Sequence, residues 1–472
     1  MITTSIVVYV LLQVAIGVWA SKRVSSQADF IIAGKSLGLG LATLTIFSTW
    51  FGAETIVGAA GSAYKHGLGA SGPDPFGYAI AMMLMGLIFA RALWRGGFLT
   101  LGDLFRREYG TKVELLGVLL ILPGPVIWGG AQIRAFGKVV SSVTSIDVNL
   151  AITLAAIAVV GYTMLGGLYA SAVTDLIQGV VMIIGLALLL ICVVWSVEPH
   201  HLTVPPERLK FWDSGGGALQ TLDSWAVPIF STFVAVELIS RILAARTQDI
   251  ARRASVGGGV LYLFVGLIPV SLGLVAPNLL PQAIADGEQV IPKLAEHFLV
   301  FPTWFFPHCI YIIFMGAIIS AILSTVDSVL LSGASILSNN LLVRSFRLED
   351  DRAQMLCTRL CVLALGATAY LCALSGNGVK ELVEVASSFG SAGLVPLLCF
   401  GLFSRFGGPR AATSALLVGL VGWGLGALLD LSAPYIISVL AATISYIVTA
   451  YLSGERRDVP RSESMVGASE LT

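Results

Sequence analysis

Apolar stretches of about 20 positions, separated by short polar segments, recur along the whole 472-residue chain. They lie near 3–20, 37–63, 75–93, 113–136, 148–167, 171–196, 223–243, 256–276, 303–337, 355–375, 380–404, 411–429 and 433–452. A helix of roughly 20 residues crosses a hydrocarbon core of about 30 Å. The pattern therefore predicts an all-α integral membrane protein of about 13 transmembrane helices spanning 1–452, with a lipid bilayer as its solvent. Two longer polar segments interrupt it, near 197–222 and 277–302. The first is punctuated by proline and glycine and has no helical periodicity; the second holds a short amphipathic stretch around Ile291–Leu299. The last 20 residues, 453–472, are rich in Ser, Glu and Arg and read as a disordered cytoplasmic tail.

Composition agrees with lipid as the solvent. Hydrophobic residues make up 56% and charged residues 12% of the chain, and the mean hydropathy is +0.88; a soluble domain carries roughly 25% charge. Net charge is zero, so no basic field points to nucleic acid. Thr3–Ala20 has neither a charged segment before it nor a small-residue cleavage site after it, and reads as a retained span. The six cysteines lie within or at the ends of apolar runs and read as small buried hydrophobes.

Charge placement orients the chain. With the N-terminus outside, 21 of the 28 basic residues fall on the inner side, among them Arg91, Arg95, Arg241, Arg246, Arg344 and Arg457. An odd number of spans then puts the C-terminus in the cytoplasm of a cell bounded by this plasma (inner) membrane.

Four acids interrupt the apolar spans: Glu54, Asp175, Glu237 and Asp327. Carboxylates at membrane depth are costly and mark ion paths or partner contacts. The densest polar run is Ser324-Thr325-Val326-Asp327-Ser328. Ser324 and Ser328 share a helix face, with Thr325 and Asp327 beside it. Hydroxyls and a carboxylate are oxygen ligands for a hard cation, whereas a transition metal selects His or Cys; hydroxyls bonded back to their own helix are the plain alternative. A second run, Ser48 to Thr55, places Gly52 and Glu54 within an apolar span, where a helix can unwind and free carbonyls for a cation.

These runs, with Tyr162–Gly179 (YTMLGGLYASAVTDLIQG), Thr100–Gly110 (TLGDLFRREYG) and Ile319–Ser335 (ISAILSTVDSVLLSGAS), resemble the sodium:solute symporter family along nearly the whole chain, nearest its choline and proline branches. The resemblance implies a LeuT-type fold of two inverted five-helix repeats, here near 37–196 and 223–404. It implies a sodium site made of the carbonyls of Ser48, Phe51 and Ala321 and the hydroxyls of Ser324 and Thr325. A second site would join Asp175 to Ser324 and Ser328, with Asp327 where other members carry serine, giving two sodium ions. Proton coupling through Asp175 and Asp327 is the alternative.

Trp50 and Trp128 (in IWGGAQIRAFG) fall where the choline branch has cage tryptophans, and ring faces attract quaternary ammonium groups. The tryptophan expected on the second broken helix is Ala235 here, while Glu237 and Glu54 lie close by in sequence, and Gln132 is a further candidate for the pocket wall. The expected solute is therefore an amine or zwitterion such as choline, betaine or proline, the alternatives being a sugar or an organic carboxylate. A transporter-fold solute sensor and a passive channel are other classes. An enzyme is disfavoured, since the five histidines lie in or near outer loops and no HExxH, GxSxG or phosphate-loop pattern occurs.

Overall fold

The computed structural model describes residues 2–457 apart from 23, 25, 145, 213–216, 282–283, 301–307 and 376–378. Where described, each of the thirteen apolar stretches is helical. The helices are α1 (Ile2–Ser21), α2 (Leu39–Trp50), α3 (54–66), α4 (Leu68–Arg95), α5 (Thr111–Ser141), α6 (148–166) and α7 (168–196). They continue with α8 (Ala218–Phe233), α9 (Val236–Ala244), α10 (Gln248–Leu279), α11 (Val290–Phe298), α12 (Cys309–Ser345) and α13 (Asp351–Leu374). The last four are α14 (Val379–Ser388), α15 (Ser391–Phe403), α16 (Pro409–Leu428) and α17 (Pro434–Ser453). Among the described residues, nine helical runs are long and apolar enough to cross a membrane, and up to ten if the pair bent by 40° at the α14–α15 break is one span. The α6–α7 run of 49 residues is one of the nine, and the α2–α3 pair is outside that count because neither half reaches 18 residues.

Each interruption has a local cause. The α6–α7 corner is Gly167 at φ 59°, where a Cβ would sit 2.9 Å from the Phe30 carbonyl. Only glycine combines that torsion with so close an approach. The α2–α3 break falls at Phe51 (ψ 69°) and Gly52, and the α8–α9 break at Val234 and extended Ala235, six residues after Pro228. The two broken segments are also joined at one end: Leu37 donates to the Ala244 carbonyl at 3.1 Å and accepts from the Arg246 amide at 2.9 Å.

α12 and the α8–α9 pair are the most buried spans, whereas α16 and α17 keep Leu417, Val421, Ile444 and Val448 exposed, as lipid-facing helices do. α12 packs against α5, α6, α7 and α13 and forms the centre. On the expected inner side, Arg344 at the end of α12 pairs with Asp103 (2.5 Å) and with Glu114, and Asn340 bonds both acids.

Three expectations need correction. Arg241 does not lie on an inner loop: it sits within α9 and is fully buried, with hydrogen bonds to three other helices that make burial tolerable. The cysteines are free but not uniformly buried, since Cys361 is buried and Cys309 exposed. The tail is anchored at its start, where Arg457 pairs with Glu108 (3.3 Å) and donates to the Phe400 carbonyl (2.5 Å); 458–472 lie outside the described residues.

Candidate ion and solute sites

At the α2–α3 break the helical ladder is diverted. The Gly52 amide donates to the Trp50 carbonyl (3.0 Å) and the Ala53 amide to Gln132 Oε1 (3.0 Å). In an unbroken helix these amides would serve the carbonyls of Ser48 and Thr49. Thr49 instead receives the Thr325 hydroxyl at 3.0 Å, and the Ser48 carbonyl is released from the ladder. Thr325 also reaches the Ala321 carbonyl (3.1 Å). The structure thus brings Ser48 and Thr49 on α2 towards Ala321, Ser324 and Thr325 on α12, while the Phe51 ring packs against Phe47 and Tyr262. This donor set consists of hydroxyl and carbonyl oxygens, which fits a sodium-like cation.

Next to it lies a buried charged cluster. Asp175 on α7 accepts from Ser324 (2.5 Å) and from Thr45 of α2, while the Ser48 hydroxyl donates to the Asp175 carbonyl (2.9 Å). Arg241 Nη2 lies 3.3 Å from Asp175 Oδ2 and donates to Ser171 (3.3 Å) and Ser328; its Nε donates to Thr45 (3.0 Å). Ser328 is therefore joined to Asp175 through the guanidinium and not directly. Asp327 Oδ1 accepts from Ser171 and Ser328 (both 3.1 Å), while Oδ2, also buried, has no hydrogen-bond partner among the described residues. The cluster thus holds two carboxyl groups and one guanidinium.

The second constellation is a cavity between the two broken helices, lined by Trp50, Tyr78, Trp128, Ala235, Glu237 and Phe389 among others. Trp50 and Trp128 meet edge to face at 5.6 Å. Trp128 Nε1 donates to Glu54 Oε1 at 3.1 Å, and Gln132 bonds the other Glu54 oxygen. Gln132 is thus the clamp that ties the break to α5, and Glu54 is held by neutral donors. A Cβ at Gly52 would lie 2.4 Å from the Glu54 carboxylate and 3.0 Å from Gln132, so any side chain there displaces these two groups. Among the described residues, no group outside its own backbone hydrogen-bonds the Glu237 carboxylate, and Trp50 Nε1 is buried without a partner. Tyr78 also lines a larger vestibule, together with Glu54, Asp74, Asp223 and Glu384. No Lys or Arg lines either space among the described residues.

Hydrogen bonds or the cavity lining bring together twelve of the thirteen residues expected from sequence; the exception is Phe51, whose ring packs against Phe47 and Tyr262. Sequence reasoning missed Arg241, Thr45, Ser171 and Tyr78. A single arginine inside the apolar run VELISRILAA was a readable signal; the hydroxyls and the tyrosine carried none.

A family model described as "Sodium:solute symporter family" matches residues 30–419. The chain is similar to the high-affinity choline transporter 1 of Caenorhabditis elegans (26% identical, 88% of this chain, 76% of the relative) and to that of Homo sapiens (26%, 88% and 75%). It is also similar to the sodium/proline symporter of Haemophilus influenzae (26%, 88% and 86%). Among solved structures, a Na+-coupled sialic acid symporter in a substrate-bound outward-open state superposes with a TM-score of 0.84 at 16% identity, over 97% of this chain and 99% of that one. The nucleobase-cation-symport-1 family transporter Mhp1 in a closed conformation gives 0.61 at 14% identity, over 91% and 95%.

Proposed function

The chain belongs to the sodium:solute symporter family, and from that premise we propose that it imports a small cationic or zwitterionic amine such as choline, betaine or proline together with sodium. One observation carries the choice of solute: Glu237 and two tryptophans face a cavity between the broken helices that, among the described residues, no basic side chain lines. An ammonium group is attracted both to the carboxylate and to the ring faces. The Trp50 indole N–H is left to donate to an oxygen on the solute. Choline and proline transport by the relatives lends the same support. A neutral sugar or organic carboxylate is the second reading, favoured by the neutral donors that already hold Glu54.

Ser48, Phe51, Ala321, Ser324 and Thr325 hold the first sodium ion. The unpartnered Asp327 Oδ2 is the place for a second, with Asp175 and Ser328 beside it. One sodium ion entering down 100 mV and a tenfold gradient gains about 3.7 kcal/mol, or roughly 500-fold accumulation of a neutral solute, and two square that figure. The inverted repeats 37–196 and 223–404 move about these sites so that they open alternately to the two faces. The basic residues on the inner side make the acidic vestibule the outer mouth of a plasma-membrane protein.

Uptake into proteoliposomes of labelled choline, betaine, proline, a sugar and pantothenate, under an inward sodium gradient, tests the reading. Sodium-dependent entry of an amine, inhibited by other amines, supports it. Entry of the sugar or pantothenate with indifference to amines replaces the proposed solute, and the reversal potential gives the ion count.

A further inference from the structure

α9 is nine residues long and carries both a wall of the solute cavity and an anchor of the ion cluster. Glu237 lines the cavity beside the tryptophans. Arg241 follows four residues later, about 6 Å along the axis on the same face, and donates back to the Glu237 carbonyl at 3.1 Å. Its other donors reach Thr45 on α2, Ser171 and Asp175 on α7, and Ser328 on α12. These are the three helices that carry the candidate sodium ligands and Asp175. Ser240, next to Arg241, also meets Ser332 of α12 at 3.3 Å. Extended Ala235 separates α9 from α8, so the short helix is a unit distinct from α8.

We propose that Arg241 is a positioning residue that couples the two sites, an inference that rests on the sodium-symport reading above. A solute held at Glu237 fixes α9, and Arg241 then sets the Asp175 carboxylate and the Ser328 hydroxyl. Asp175 in turn orients Ser324 and Ser48, which hold sodium. Sodium organises the same residues from the other end, so each ligand raises the affinity for the other by one common factor. A planar guanidinium with five donors can grip four helices at once; a lysine ammonium supplies three donors from a point.

The test measures 22Na+ binding to purified wild type, Arg241→Gln and Arg241→Lys, alone and with saturating choline, betaine or proline. The probe is whichever of the three strengthens sodium binding to the wild type. The glutamine variant removes a positive charge beside Asp175, so it is expected to bind sodium alone at least as well as wild type. Its enhancement by the probe should fall from tenfold or more to less than threefold. The lysine variant, which keeps the charge, should retain sodium affinity within about threefold and lose most of the enhancement. A merely structural arginine would weaken binding of sodium itself and leave the enhancement factor unchanged, which would overturn the proposal. Undiminished enhancement in both variants would also overturn it while the symport reading stands, and the lysine variant decides alone if the glutamine variant does not fold. A wild type in which none of the three probes and sodium affect each other would remove the amine-symport reading and the tether together.

Discussion

Arg241 Nη2 and Asp175 Oδ2 lie 3.3 Å apart with neither side chain exposed, a buried ion pair joining α9 to α7. Removing one member of such a pair strands the other charge and costs about 3–5 kcal/mol. Asp175→Ala should therefore lower the unfolding temperature in detergent more than Asp175→Ala/Arg241→Leu does. Thermal melts of both variants check this non-additivity. Equal melting of the single and double variants would show that the pair is not coupled in the folded protein.

Gly52→Ala pushes a methyl group into the Glu54 carboxylate and the Gln132 amide, and so disturbs the break that frees the Ser48 carbonyl. It should reduce sodium-driven uptake at least tenfold at unchanged expression. Gly40, in α2 with nothing within 4 Å of its Cβ position, is the control. Gly40→Ala should leave uptake unchanged and stabilise slightly, since alanine favours helix by about 1 kcal/mol.

Glu237 and Glu54 differ in how they are held. Glu54 is bonded by Trp128 and Gln132, whereas Glu237 faces the cavity without such partners. Glu237→Gln should thus weaken competition by amines about tenfold or more with folding retained. Glu54→Gln should act on stability of the break as well, seen as a lower melting temperature. Inhibition constants for a series of amines, measured on both variants, distinguish the two roles.

On the expected inner side, Arg344 joins Asp103 and Glu114, and Asn340 bonds both acids. Arg344→Ala leaves buried Glu114 without that ion pair, and the variant should melt several degrees lower. Glu114→Gln, which keeps the shape and Asn340 contact, should recover part of the loss; a melt unchanged by Arg344→Ala would mean the network adds no stability.

Much of this architecture was legible because lipid imposes a coarse rule: a crossing helix must be long and apolar. Asp327 and Ser324 stood out for the same reason, as polar groups where polarity is costly. Arg241 was misplaced because counting basic residues by loop assigns every arginine to water, and sequence gives no view of the partners that make burial tolerable. The α6–α7 corner was read only as a gap near 168–170, since Gly167's left-handed torsion depends on contact with Phe30, 137 positions earlier in the chain. Gln132 was read as pocket wall because its partner, the Ala53 amide, exists only once α2 breaks.

The central claim is that Ser324 and Thr325 hold the coupling cation beside the released carbonyl of Ser48. Wild type and Ser324→Ala/Thr325→Ala, reconstituted in liposomes, are compared for uptake of choline, betaine, proline, a sugar and pantothenate with and without an inward sodium gradient. The account predicts sodium-dependent uptake by the wild type that the double substitution abolishes, with the protein still folded by its thermal melt. Uptake indifferent both to sodium and to loss of the two hydroxyls would contradict it.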